Sequence, residues 1–299
     1  MIEPSWVLTG AALPALAAAA LMAVVCILRR PASASRIGIG WSLSIGAAAV
    51  VGTFASHGRP PLPPATSQQW LLAAVVPAAV VATVVGLLAR RRVATITLLS
   101  RATVAFGAPP LLLLAHLKHY WSTAAAVTWL IVLGLVIFLY WSIMSRLAAR
   151  RPGRSAVAAL FAAVAGTGMV IMLSDSAHIA EITFTLAAAT AGALAASFLL
   201  PRGSFAHGCV GVIVTAWIGL LIVFWFYVQY DAGPIEAILV ILLLTVVPAA
   251  WVGEIPAIQR ITPIKRTLIR AAVVLAPIVA AVIVAAVQFA REFNQAGPW

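Results

Sequence analysis

Residues 120–145 read YWSTAAAVTWLIVLGLVIFLYWSIMS and contain no charged side chain. An α-helix needs about 20 apolar residues to cross the hydrocarbon core of a bilayer, so this stretch predicts a transmembrane helix. Aromatic residues lie near both ends, Tyr120 with Trp121 and Tyr140 with Trp141, where the membrane interfaces are expected. Arginines follow at positions 146, 150, 151 and 154. Because arginine-rich loops stay in the cytoplasm, the stretch also has a predicted orientation.

Comparable apolar stretches recur along the whole chain. Of its 299 residues 64% are hydrophobic and 9% are charged, whereas roughly a quarter of a soluble chain is charged. The sequence therefore predicts an all-α, polytopic transmembrane bundle that forms one integral membrane domain over residues 1–299. About ten helices are expected, near 6–28, 37–55, 70–89, 94–117, 120–145, 155–174, 178–200, 208–230, 234–252 and 268–290.

The basic residues give the predicted topology. Fifteen of the nineteen fall in every second loop between the expected helices: Arg29, Arg30, Arg36, Arg90, Arg91, Arg92, Arg146, Arg150, Arg151, Arg154, Arg202, Arg260, Lys265, Arg266 and Arg270. These loops are expected to be cytoplasmic, which places the N-terminus and the C-terminus both on the non-cytoplasmic side. The expected location is the bacterial inner membrane. The same pattern accounts for the net charge of +12, so no nucleic-acid partner is expected.

Sequence motifs that would define an enzyme or a cofactor site are absent. The chain has no HExxH, GxSxG, phosphate-loop or dinucleotide glycine pattern. Cys26 and Cys209 have no partner at metal-ligand spacing and are interpreted as small buried residues. We therefore predict no cofactor and consider enzymatic activity the less favoured interpretation. The expected partners are the lipid bilayer and either other membrane proteins or further copies of this chain.

The segment SDSAHIAEITFT, residues 174–185, is the most polar stretch near the predicted hydrocarbon core. In a helix that begins near Ala177, His178, Glu181 and Thr185 follow steps of three and four and share one face. An ionisable group in a membrane helix rarely faces lipid, so this face is expected to point into the bundle. A histidine and a glutamate three residues apart can bind a cation or transfer a proton.

Two interpretations of this segment remain open. In the structural one, Asp175 and Ser176 cap a short helical hairpin, and His178 and Glu181 form a hydrogen bond that fixes it. In the functional one, Asp175, His178, Glu181 and Thr185 form a polar site. Further histidines and acids at predicted outer helix ends are its possible neighbours: His57, His116, His119, Asp231 and Glu236. The sequence leaves open whether a metal binds there.

Three functions fit this description. The first is a permease or ion-coupled transporter for a small neutral or lipidic substrate, because prolines at 14, 77, 248 and 277 would bend helices around a pathway. The second is a cofactor-free subunit that anchors a larger membrane complex. The third is an intramembrane metal-binding or enzymatic subunit with a site at its outer face. An inverted repeat of five helices is conceivable, but no sequence similarity establishes it.

Overall fold

The computed structural model describes residues 7–28, 34–59, 61, 63–89, 94–150, 155–174, 176–199, 209–228 and 234–295. Nearly all of these residues are helical and none of them is in a β-strand, which confirms the all-α class. They form ten helical segments. The first five are α1 (Val7–Ala12, Leu13–Leu28), α2 (Ala34–His57), α3 (Ser67–Trp70, Leu71–Val75, Val76–Ala89), α4 (Ala94–Leu112, Leu114–His119) and α5 (Thr123–Arg150).

The last five segments are α6 (Ser155–Leu173), α7 (Ala177–Leu199), α8 (Cys209–Val223, Phe224–Val228), α9 (Pro234–Ala249, Ala250–Glu254) and α10 (Pro263–Gln295). A single turn, Pro256–Gln259, precedes α10.

Eight of the ten segments are long and apolar enough to cross a membrane. The other two are α1, which is apolar throughout and of which the span Leu8–Val24 is counted, and α4, which contains Arg101. The chain therefore has the character of an integral membrane protein, with eight candidate crossings among the described residues, and the number of ten stays a prediction.

Helix α8 lies at the centre of the bundle. Every residue from Cys209 to Val223 is buried, and α8 packs against six other segments, α2 to α7. A helix that is apolar on all faces can be buried on all faces, which explains this position. Gly211 permits α8 and α5 to approach each other closely, since a Cβ at this position would lie 2.2 Å from the ring of Trp141 in α5.

Around α8, helices α1, α2, α6 and α7 pack together, as do α3, α4 and α5, while α9 and α10 pair with each other and against α6. The outer helices differ in burial. In the most apolar stretch of 18 residues in α5 only 11% of the residues are buried, whereas 89% are buried in the corresponding stretch of α8. Helix α5 therefore presents an apolar surface that lipid is expected to cover.

Two prolines coincide with widened helical turns. A π-helical turn, Val7–Ala12, precedes Pro14, and another, Leu71–Val75, precedes Pro77. Proline has no N–H and its ring clashes with the carbonyl four residues earlier, so the preceding turn opens. For Pro14 that carbonyl belongs to Gly10, and Thr185 Oγ1 of α7 donates to it at 3.0 Å. Thr185, on a neighbouring helix, thus donates the hydrogen bond that the Gly10 carbonyl cannot receive from Pro14.

Candidate metal centre

The position of His57 is set by the end of α2. Gly58 follows with φ of 77°, in the left-handed region that glycine adopts without strain. Its N–H donates to the carbonyl of Phe54 at 3.0 Å, the hydrogen bond that closes a helix at a left-handed glycine. His57 is therefore the last residue of α2, where the partial negative charge of the helix C-terminus favours a bound cation.

Helix α7 supplies the other side chains. It begins at Ala177, directly after the short turn that follows α6, and the N–H of Ala180 donates to the carbonyl of Ser176 at 3.0 Å. His178 and Glu181 are three residues apart and so lie on one face near the start of α7. The packing of α7 against α2 brings this face beside His57.

The three side chains are close enough to share one ion. His57 Nε2 and Glu181 Oε2 lie 2.8 Å apart, and the rings of His57 and His178 meet edge to face with 4.4 Å between centroids. One nitrogen of each histidine and one oxygen of Glu181 all lie within 4.8 Å of one another. No other such group of three occurs in the described part of the chain. His178 is exposed, whereas His57 and Glu181 are half-buried.

Ser56 orients the His57 ring. Its Oγ lies 2.8 Å from His57 Nδ1 and also 3.0 Å from the carbonyl of Gly52. If the hydroxyl donates to that carbonyl, its oxygen accepts from Nδ1–H. In that tautomer His57 Nε2 turns a lone pair toward the Glu181 carboxylate and can bind a metal ion there; in the other tautomer Ser56 donates to Nδ1, and Nε2–H donates to Glu181 Oε2 at 2.8 Å. In metal-bound histidines, the ring nitrogen that does not touch the metal usually donates its N–H to an oxygen acceptor, which Ser56 Oγ would be here.

Close packing with α1 supports this end of α7. Thr185, one turn beyond Glu181, donates to Gly10 of α1, and a Cβ on Gly52 would come within 2.8 Å of both Pro14 and Thr185. Further along α7, a Cβ on Gly192 would lie 2.0 Å from the carbonyl oxygen of Ala15. Helices α1, α2 and α7 are therefore closely packed beside the site, and this packing restricts shifts of α2 and α7 relative to each other.

The other predicted neighbours lie elsewhere. His116 is buried, with its Nδ1 unpartnered, and its ring lies 4.6 Å from that of Tyr227 and 5.4 Å from that of Trp121. Burial lowers the pKa of His116, and a backbone hydrogen bond with Phe226 opposes this shift. His119 is exposed at the end of the same short helix.

Glu236 has a different partner. Its Oε1 accepts a hydrogen bond from Gln288 Nε2 of α10 at 2.9 Å. Asp175 and Asp231 lie outside the described residues. Of the residues that the sequence singled out, the structure brings together His57, His178 and Glu181, with Thr185 one turn away. Ser56 was missed, and its one signal in the sequence is that it directly precedes His57 at a predicted helix end.

No protein family model, curated protein or solved structure matches this chain.

The donor set suits a transition metal. Two imidazole nitrogens and one carboxylate are the ligands of many zinc sites that keep a fourth position open. In a tetrahedral zinc site neighbouring ligand atoms lie about 3.3 Å apart, given bonds of roughly 2.0 Å. The pair at 2.8 Å must therefore separate by about half an ångström when such an ion binds. Harder ions such as Mg²⁺ and Ca²⁺ prefer oxygen ligands and fit less well.

Proposed function

We propose that this protein is an integral membrane protein that binds a divalent transition metal ion, with Zn²⁺ the best fit, through His57, His178 and Glu181. The convergence of these three side chains from two helices carries the proposal. Residues 57 and 178 are 121 positions apart in the sequence, so local structure alone does not explain their proximity. This favours the metal-binding function over the other two functions that the sequence allows.

The proposed topology places the metal at the outer face. In it all ten segments cross the bacterial inner membrane, α4 through Ala94–Leu112, and both termini are non-cytoplasmic. The C-terminal end of α2 and the start of α7 are then outer ends, so His178 meets metal ions from the periplasmic side. Arg101 would lie near the inner end of α4, where its long side chain can reach the headgroups.

A permease is the second candidate function, and the ligand set itself favours it. Three ligands, one of them exposed, leave coordination positions open to water. Such a site suits an ion that binds and leaves more than a permanent structural ion. The metal would then be the cargo at its point of entry. The anchoring-subunit function predicts stable partners after mild extraction and stays a prediction.

The test is metal titration of the full-length chain in a neutral detergent after chelator treatment. We expect one equivalent of Zn²⁺ to bind to the wild-type protein by isothermal titration calorimetry. His178→Asn and Glu181→Gln should each weaken binding by roughly tenfold or more, because each removes one direct ligand. Comparable size-exclusion profiles without metal will show that the variants are folded.

His119→Asn is the matched control, since His119 is exposed and lies outside the group of three. It should leave the affinity unchanged. Unchanged affinity in both His178→Asn and Glu181→Gln would refute the site. Zinc flux into proteoliposomes then separates the two candidate functions: flux that Glu181→Gln abolishes identifies a permease, and binding without flux identifies a metal-binding protein.

A further inference from the structure

The segment between α9 and α10 is a short connection whose parts are hydrogen-bonded to one another. Helix α9 ends at Glu254, the single turn Pro256–Gln259 follows, and α10 begins at Pro263. The backbone carbonyl of Glu254 accepts a hydrogen bond from Gln259 Nε2 at 3.1 Å, and its side-chain Oε1 accepts one from Arg270 Nη2 at 2.8 Å. These bonds fix the turn and the start of α10 against the end of α9.

Basic and apolar side chains share the outer surface of this connection. Three basic residues are exposed or half-buried: Arg260, Lys265 and Arg266. Two large apolar side chains lie beside them and are mostly exposed, Ile264 at 75% and Leu268 at 63%. We call these five residues the connection surface. We propose that it binds an anionic phospholipid, whose headgroup contacts the basic side chains and whose first acyl carbons contact the apolar ones.

The first argument is charge. Between Glu236 and Glu292 the sequence has five basic residues and only one acid, Glu254. That acid is bound by Arg270, and its side chain is only 8% exposed. In the part of the chain that the structure describes, no carboxylate forms an ion pair with the basic groups of the connection surface. An anion from outside the chain is therefore the natural counter-charge, and anionic lipids supply one at a membrane surface.

The second argument is depth in the bilayer. Helix α10 has 33 residues and is about 50 Å long, whereas the hydrocarbon core is about 30 Å thick. The ends of α10 therefore extend into the headgroup regions, and Lys265 lies in the first turn. Arg270 lies about 10 Å further along the axis than Pro263, and it is the basic residue with an internal partner, Glu254. In the proposed topology this end of α10 is cytoplasmic, where anionic lipids attract basic segments.

The third argument is the direction of the side chains. Among the described side chains of α10, Val274 is the first buried one, and it follows Lys265 by nine residues. Nine residues are two and a half helical turns, so Lys265 faces away from the bundle. Ile264 and Leu268 flank it on the exposed side. A lysine among exposed apolar side chains fits the boundary between acyl chains and headgroups, because its stem contacts the chains while its ammonium reaches the phosphate.

Native mass spectrometry of the full-length chain in neutral detergent tests the proposal. We expect phosphatidylglycerol to bind at least roughly tenfold more tightly than phosphatidylcholine with the same acyl chains, which has no net charge. Lys265→Gln with Arg266→Gln should weaken phosphatidylglycerol binding by about tenfold or more, since each basic residue beside an anionic headgroup contributes about fivefold. The melting temperature without lipid should match that of the wild-type protein, which shows that the variant is folded.

Lys118→Gln with Arg291→Gln is the matched control. It also removes one lysine and one arginine, both exposed, and Arg291 lies at the opposite end of α10. This variant should bind phosphatidylglycerol as the wild-type protein does. Equal losses in the two double variants, or equal affinities for the two lipids, would overturn the proposal.

Two further measurements separate a lipid from a soluble anion. Ile264→Ser with Leu268→Ser keeps every charge and should weaken phosphatidylglycerol binding several-fold, because it removes the apolar contact with the acyl chains. Inorganic phosphate at millimolar concentration should not displace the lipid. Displacement by phosphate, or full binding in this variant, would assign the surface to a soluble anion and refute the proposal.

Discussion

The phenolic hydroxyl of Tyr140 in α5 donates a hydrogen bond to the carbonyl oxygen of Leu244 in α9, with 3.0 Å between the two oxygens. Leu244 is four residues before Pro248. In a regular helix the N–H of residue 248 would donate to this carbonyl, but proline has none. Tyr140, on a neighbouring helix, therefore donates the hydrogen bond that the Leu244 carbonyl does not receive from Pro248. Thr185 does the same for the Gly10 carbonyl, four residues before Pro14.

This relationship predicts coupling between Tyr140 and Pro248. Tyr140→Phe should lower the free energy of unfolding by about 1–3 kcal/mol, because the carbonyl of Leu244 loses its donor in an apolar setting. In a Pro248→Ala background the new N–H can bond that carbonyl, so the same change should cost less. The measurement is a double-mutant cycle on chemical denaturation in detergent. Strictly additive effects would contradict the explanation.

Ser56 is predicted to support the metal ligand His57. Ser56→Ala removes the hydroxyl beside His57 Nδ1, so the affinity for Zn²⁺ should fall by about 10–100-fold. Calorimetric titration measures the change. Ser42→Ala is the control in the same helix, because its hydroxyl donates to the carbonyl of Gly38 and not to a ligand. Equal affinities in the two variants would show that Ser56 has no part in the site.

Gly192 is predicted to be intolerant of any side chain. A Cβ there would lie 2.0 Å from the carbonyl oxygen of Ala15, and backbone cannot move aside as a flexible side chain can. Gly192→Ala should destabilise the protein by about 1–3 kcal/mol or more, by forcing α1 and α7 apart. Thermal unfolding in detergent checks this value.

Gly107→Ala is the matched comparison, since nothing lies within 4 Å of a Cβ at that position in α4. Alanine is the better helix former by about 0.5–1 kcal/mol, so this variant should be neutral or slightly more stable. A similar loss in both variants would mean that the close contact at Gly192 is not what matters.

His116 is predicted to make stability depend on pH. Burial lowers its pKa below the ordinary value of 6.5. The unfolded chain therefore takes up a proton more readily, and the stability that neutral His116 contributes is lost as the pH falls through 6.5. The slope for one proton is at most about 1.4 kcal/mol per pH unit. His116→Phe, which keeps a flat ring among Tyr227 and Trp121, should flatten the pH dependence of the melting temperature between pH 7 and 5.

His119→Phe is the control for that experiment, because His119 is exposed at the end of the same helix. It should leave the pH dependence as it is in the wild-type protein. A dependence that persists in His116→Phe would assign the effect to another group.

The helical class could be predicted from sequence because it depends on composition and local pattern. Apolar stretches of about 20 residues can satisfy their backbone in lipid only as helices, and this rule needs no knowledge of neighbours. The segment around His178 and Glu181 was also recognisable, since an ionisable pair stands out in an apolar chain. Their spacing of three residues fixes a shared face through helix geometry alone.

The number of crossings stays a prediction. Arg101 lowers the mean hydropathy of α4, so α4 falls outside the eight candidate spans found among the described residues. The sequence could not show which of the outer histidines lies beside Glu181. His57, His116 and His119 all lie near predicted outer helix ends, and nothing local distinguishes the one that faces Glu181.

The sequence by itself determined that the chain is helical and belongs in a membrane, because hydrophobic length and helical period are local properties. Tertiary structure decided which polar groups meet. The packing of α7 against α2 places Glu181 2.8 Å from His57, and the packing of α10 against the end of α9 places Arg270 2.8 Å from Glu254. Such contacts join residues 124 and 16 positions apart, and they depend on small residues such as Gly52 and Gly253 that let the helices approach closely.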